Sequence, residues 1–258
     1  MKKNSLIALI TDFGANDYFA GVVKGVIKSA NPAAEIIDVC HEVKPFSLIN
    51  AQYMVASSFK YFPPGTIFCI VVDPGVGTAR RGIIAMDESY VFIAPDNGII
   101  SPAASAKMDY YRIADKFFRN VSATFHGRDV FAPVAAALAK KLNPEKFGKK
   151  INDPVLYKFP DYKILDNRIE SVSMHVDRFG NIITSIPHEI LRPCETGFII
   201  TTGGRSFPAK MHEAYDAIKD GFGLIEGSSG FIEIAERQKS AAENLDVDTG
   251  DRILVSYG

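Results

Sequence analysis

Tryptophan is absent from this chain, and cysteine occurs at only three positions, Cys40, Cys69 and Cys194. Scattered in this way, with no Cys-x-x-Cys, they build neither a disulfide framework nor a zinc-binding spacing. A stapled secreted scaffold is therefore not expected, and a reducing, cytoplasmic setting is. Net charge is missing as well: 29 basic residues face 30 acidic ones, which leaves no electrostatic footprint for nucleic acid or an anionic membrane. No apolar run approaches the ~20 residues of a membrane span. The run at 6–10, behind Met1-Lys2-Lys3, is too brief for a secretory leader and lacks a small-residue cleavage pattern. It reads instead as a first buried strand. Internal repeats and low-complexity segments are also lacking.

What is present is a chain of 258 residues, 47% hydrophobic, long enough for one large core or two modest ones. After the strand at 6–10, the residues Phe19, Val22, Val23, Val26 and Ile27 recur at helical spacing behind Asp17, a candidate N-cap. A second strand is read at 35–39. A second helix starts near Ser47 and must stop before Pro63-Pro64-Gly65. The β-branched and aromatic run 66–72 is the clearest buried strand, with further strands at 82–86 and 90–94 and an alanine-rich helix after Asp129. This alternation predicts an α/β domain with a mostly parallel sheet flanked by helices over residues 1–150. Residues 151–168 read as a link. From 169 to 258 the runs are short and separated by turn residues, with Gly203-Gly204 as a hairpin signal, and predict a smaller antiparallel β-barrel or sandwich.

In such a sheet ligands bind beyond the carboxyl ends of the strands. Two polar loops fall there: Thr11-Asp12-Phe13-Gly14, and Asp73-Pro74-Gly75-Val76-Gly77-Thr78-Ala79-Arg80. Asp12 could accept two hydroxyl hydrogen bonds from a ribose diol, or cap the next turn. The glycines of the second loop permit close backbone approach, but the Lys-Ser/Thr end of a phosphate loop is lacking. Three further segments gather polar groups among turn residues: Ala94-Pro95-Asp96-Asn97-Gly98, Phe125-His126-Gly127-Arg128-Asp129 and Asp177-Arg178-Phe179-Gly180-Asn181. His126 suits acid–base work near neutral pH, or is merely satisfied by its surroundings. Asp129 could cap the helix behind it. Cys40-His41 matches no zinc spacing, and no metal is expected.

Taken in order, these segments resemble the S-adenosylmethionine (SAM) hydroxide adenosyltransferase family, relatives of the SAM-dependent fluorinase and chlorinase. The resemblance also includes Val39-Cys40-His41 and the run from Ser228 to Ala235, and extends over essentially the whole chain. It implies an N-terminal α/β domain, a C-terminal β-barrel, and a homotrimer with SAM bound between neighbouring subunits. It further implies that Asp73, Arg80 and His126 hold and activate water, a set that halogenating relatives lack. The same resemblance assigns Asp12 to the ribose hydroxyls and Phe46 and Phe125 to apolar walls. Asp177 and Asn181, with Phe179 between them, would grip the methionine portion. Ser228, Ser229, Glu233 and Ala235 would read the methionine carboxylate and the adenine. Ser229 replaces an Arg of the fluorinase, and Glu236-Arg237-Gln238 replaces small residues, so this last assignment departs from the pattern.

The expected reaction is attack of water on ribose C5′, giving adenosine and methionine, with SAM as substrate and no cofactor. Sulfonium makes methionine a neutral leaving group, so the chemical demand falls on the nucleophile. Arg80 stays protonated and cannot be the base; Asp73 positioned by Arg80 is favoured, with His126 completing the water site. The alternatives are a chloride-using adenosyltransferase and a non-catalytic SAM-binding sensor.

Overall fold

The computed structural model describes residues 6–114, 120–191 and 197–257. Met1-Lys2-Lys3 and Cys194 lie outside them. The chain divides into two compact units, Met1–Tyr157 and Lys158–Gly258.

In the first unit, β1 (Leu6–Thr11) lies at the centre of parallel pairing, between β2 (Glu35–Cys40) and β3 (Thr66–Val71). Alternation sends its side chains to opposite faces. Ile7 and Leu9 pack with helices α1 (Phe19–Ala30) and α3 (Ala132–Ala139), whereas Ala8 and Ile10 pack with α2 (Leu48–Ser58). All four are fully buried, which is why the run is continuously apolar. Each large side chain so placed contributes ~1.5–3 kcal/mol. β5 (Tyr90–Pro95) adds parallel to β3. Beyond it β4 (Gly82–Met86), β6 (Asp109–Ile113) and β7 (Lys150–Ile151) pair antiparallel, completing a seven-stranded sheet. The sheet is thus parallel in one half and antiparallel in the other. The short connection from β4 to β5, with Asp87 accepting from Ser89 N–H and Tyr90 N–H, permits only a hairpin there.

Ser47 caps α2 as the sequence suggested, its Oγ accepting from Asn50 N–H. Asp17 does not cap α1: the helix begins after Tyr18, without a side-chain cap. Nor does Asp129 cap α3. It lies inside a wider π-helical turn, Gly127–Phe131, and accepts from Ser122 N–H, tying down the incoming loop. Residues expected as a link are partly structured. Asp153 pairs with Arg81 and Val155 N–H donates to Asp96, both within the first unit.

The second unit is a closed barrel. Its strands are β9 (Arg168–Val176), β10 (Ile182–Pro187), β11 (Phe198–Thr202), β12 (Arg205–His212), β13 (Phe222–Glu226), β14 (Phe231–Glu236) and β15 (Arg252–Tyr257). The β9–β10 pairing closes it, and β8 (Lys163–Leu165) extends β9 outside the ring. Gly203 and Gly204, both at positive φ, make the β11–β12 hairpin. The barrel is otherwise antiparallel, but β12 and β13 pair in parallel, joined by a longer crossover carrying the short helical turn Tyr215–Ala217. A short helix, α4 (Ala241–Leu245), packs its buried alanines into the barrel core.

Candidate active site

Asp12 follows the last residue of β1, and Asp73 lies two residues past the end of β3. Parallel neighbours end together, so both carboxylates come to one edge of the sheet. They line a cavity of about 320 Å³ with Phe13, Phe46, Phe125 and His126. Its wall is an aromatic cluster in which Phe125 meets Phe13 edge-on at 5.8 Å and Phe19 at 5.2 Å. Gly127 lets the following helical turn approach β3, since a Cβ there would stand 3.0 Å from Val71 Cγ1.

Arg80 organises the polar end. Its Nε donates to Asp73 Oδ1 at 2.8 Å and its Nη2 to Asp73 Oδ2, a two-pronged contact. Nη2 also lies 2.7 Å from His126 Nδ1. A guanidinium only donates, so Nδ1 accepts and the neutral imidazole carries its hydrogen on Nε2. The Arg80 and Asp73 side chains are only 12% and 6% exposed, and the guanidinium carbon stands 5.4 Å from the centre of the Phe131 ring. The loop is shaped by Gly77 at φ +78°, where a Cβ would come within 2.6 Å of the Ala123 carbonyl oxygen. Asn97 Nδ2 donates to the carbonyl of Val72 just before Asp73. The segment Asp96-Asn97 is therefore scaffold, with buried Asp96 paired to Arg81.

Asp12 Oδ2 accepts from Phe46 N–H at 3.0 Å. Burial pushes its carboxyl above the ordinary carboxylate range and the charge of Asp73 adds to this, against the lowering effect of that hydrogen bond. Phe46 itself, a residue lining the cavity, holds φ +64°, unusual for an aromatic residue, and is 71% exposed.

The remaining predicted residues belong to the second unit. Asp177 Oδ1 accepts from Phe179 N–H and Asn181 N–H, and Oδ2 accepts from Asn181 Nδ2, each at 2.9 Å. The β9–β10 turn is thereby fixed with Phe179 at its tip, 79% exposed. Asp177, Phe179 and Asn181 line a cavity of about 640 Å³ with Tyr215, Glu236 and Lys239. Ser228 and Ser229 form the β13–β14 turn. Glu233 and Ala235 sit two apart on β14, both buried. Burial raises the Glu233 carboxyl and the charge of Asp177 adds to it, while a 2.5 Å hydrogen bond from the Tyr215 hydroxyl opposes them. Sequence reasoning missed Tyr215, which belongs to no motif. Phe13 was legible only as part of Thr-Asp-Phe-Gly. Among the described residues, no three His, Cys, Asp or Glu side chains gather as a metal ion would require.

These features define a class: an α/β domain with two carboxylates at its strand ends beside a cavity, followed in sequence by a closed barrel. Models of the SAM hydroxide adenosyltransferase N-terminal and C-terminal domains match residues 7–148 and 173–254. A protein of Methanocaldococcus jannaschii named (R)-S-adenosyl-L-methionine hydrolase is 33% identical, over 98% of this chain and 96% of its own. The crystal structure of an uncharacterized conserved protein from Thermotoga maritima superposes with a TM-score of 0.87 at 34% identity, covering 97% of this chain and 99% of that one. A fluorinase of Nocardia brasiliensis is more distant, at 23% identity over 99% of this chain and 98% of its own. The chain belongs to the SAM hydroxide adenosyltransferase family.

Proposed function

We propose that this protein is an enzyme that hydrolyses S-adenosyl-L-methionine, water attacking ribose C5′ to give adenosine and L-methionine. The observation that carries this reading is the Asp73–Arg80–His126 cluster at the end of β3, in a cavity shared with Asp12. With Nδ1 taking a hydrogen from Arg80 and Nε2 bearing its own, neutral His126 has no open acceptor. Asp73 keeps a second lone pair on each oxygen and is the base. Proton removal in the transition state contributes ~10²–10⁴-fold. Arg80 orients Asp73 and His126, and Asp12 holds the ribose diol against the wall of Phe46 and Phe125. The leaving group departs as a neutral thioether, so this chemistry calls for no cofactor.

Asp177, Phe179, Asn181, Ser228, Ser229, Glu233 and Ala235 hold the methionine and adenine ends in this reading. The protein acts as a cytoplasmic homotrimer with SAM between neighbouring subunits. The large exposed rings of Phe46 and Phe179 support this, because a neighbouring subunit would cover them. Analytical ultracentrifugation would show three copies.

Names of relatives specify the (R) sulfonium form, so both sulfonium epimers should be supplied, in chloride-free and chloride-rich buffer, with products separated by chromatography. Adenosine and methionine from the (R) form, indifferent to chloride, are expected. 5′-Chloro-5′-deoxyadenosine would assign halide transfer instead, and tight binding without turnover would assign a sensor.

A further inference from the structure

The Cys40-His41 pair has no part in the reaction above, and His41 does not line the cavity. It nevertheless follows β2 directly, against the loop that carries Asp12. His41 Nδ1 lies 2.8 Å from Thr11 Oγ1. Its Nε2 is 3.0 Å from Asp38 Oδ1, off the straight line of an ideal hydrogen bond. Asp38 in turn receives Lys24 Nζ at 2.6 Å. Thr11 Oγ1 accepts from Phe13 N–H at 3.3 Å. The main chain adds two more ties: Gly14 N–H donates to the His41 carbonyl at 2.7 Å, and Val43 N–H to the Thr11 carbonyl at 3.3 Å. Residues on both sides of Asp12 are thus held from the end of β2.

The hydrogen positions follow from the groups present. Asp38 ionised only accepts, so the imidazole hydrogen sits on Nε2. Nδ1 then accepts from the Thr11 hydroxyl, whose lone pair remains for Phe13 N–H. The donors thus run from Phe13 to Thr11 and from Thr11 to His41, while His41 Nε2 faces the Asp38 carboxylate at 3.0 Å without the alignment of a true hydrogen bond. Partial burial works to raise the Asp38 carboxyl, but the Lys24 hydrogen bond and the facing His41 outweigh it and hold the group below its ordinary value. Thr11 is fully buried and the His41 side chain is 12% exposed, so water does not readily replace the contact between them.

We propose that His41 is a positioning residue: through Thr11 it fixes the Thr11–Gly14 turn so that the Asp12 carboxylate is presented to the ligand's vicinal hydroxyls. The inference rests on the diol-binding role given to Asp12 above. It follows that loss of the His41–Thr11 contact weakens ligands that carry a diol and spares those that lack one.

Calorimetric titration of the full-length protein with adenosine and with 2′,3′-dideoxyadenosine tests this in the wild type and in His41→Phe, Thr11→Val and His41→Asn. His41→Phe and Thr11→Val are each expected to weaken adenosine about tenfold, the order of one well-formed buried hydrogen bond. Dideoxyadenosine binding should change less than about twofold. His41→Asn, which keeps a polar group near the Nδ1 position, should recover most of the loss. With SAM, KM should rise about tenfold and kcat stay within about threefold. Should His41→Phe not fold, Thr11→Val carries the comparison. Parallel weakening of both nucleosides would mean a merely structural role and overturn the inference. A wild-type diol preference that survives in both variants would overturn it while leaving the role of Asp12 standing. A wild type that binds the two nucleosides alike would remove that role and the inference together.

Discussion

Replacing Arg80 with lysine separates charge from geometry at the proposed water site. One guanidinium makes three contacts here: Nε to Asp73 Oδ1, and Nη2 to both Asp73 Oδ2 and His126 Nδ1. A lysine ammonium is a point donor on a flexible stem and cannot span the same fork. It retains one of these contacts and loses two. Hydrogen bonds to charged groups are worth ~1.5–3 kcal/mol each. The lower part of that range applies beside an open cavity, so the loss is about 3–4 kcal/mol of positioning. At ~1.36 kcal/mol per decade this corresponds to a fall in kcat of about 10²–10³-fold. KM for SAM should change less than about threefold, because Asp12 and the aromatic wall are untouched. Part of the same loss falls on the fold itself, so the melt should drop, but less than for Arg80→Ala: the ammonium still neutralises Asp73 and avoids the ~3–5 kcal/mol penalty of a stranded buried charge. The assay is steady-state adenosine release from SAM, with a thermal melt alongside. An Arg80→Lys protein that keeps kcat within about threefold would refute the argument that the fork orients the base.

Asp12→Asn should bind SAM more weakly yet be at least as stable as the wild type at pH 7. The folded carboxyl is raised by burial, so the contribution of wild-type Asp12 is fully present below its unfolded pKa and is lost as pH rises through the folded value; urea melts at pH 4 and pH 7 should show the variant gaining relative stability at the higher pH. Gly77→Ala forces a Cβ at φ +78° to within 2.6 Å of the Ala123 carbonyl, and should lower stability by at least ~1–2 kcal/mol and kcat with it, read by melts and turnover. Tyr215→Phe removes the hydroxyl donor from buried Glu233 and should cost ~1 kcal/mol or more in urea unfolding, with the Glu233 carboxyl rising further.

Much of the fold could be read directly because single-segment physics decides it. The apolar runs of β1 and β3 are continuous because both faces are covered, and Gly203-Gly204 supplies the positive φ its hairpin needs. What escaped reading depends on residues far apart in sequence. The reversal of pairing at β4 and the parallel β12–β13 contact are choices of the whole sheet rather than of local pattern. Asp17 and Asp129 look like helix caps, yet the chain path gives α1 no side-chain cap and gives Asp129 the Ser122 amide instead. At the site, Asp73 and Arg80 share one glycine-shaped loop that was legible as a polar loop past a strand end, but their pairing was read only through the family resemblance. His126, 46 residues from Arg80, was placed with them by the same resemblance, since no local pattern links it to that loop. Tyr215, 18 residues from Glu233, carried no signal, because its value comes from meeting one buried carboxylate.

The most direct measurement of the central claim is an isotope experiment. The purified protein is incubated with SAM in chloride-free buffer prepared with ¹⁸O-water, and the nucleosides are separated and weighed by mass spectrometry. Attack of water on C5′ predicts adenosine carrying one ¹⁸O, formed together with methionine. Unlabelled adenosine, or SAM recovered intact, would contradict it.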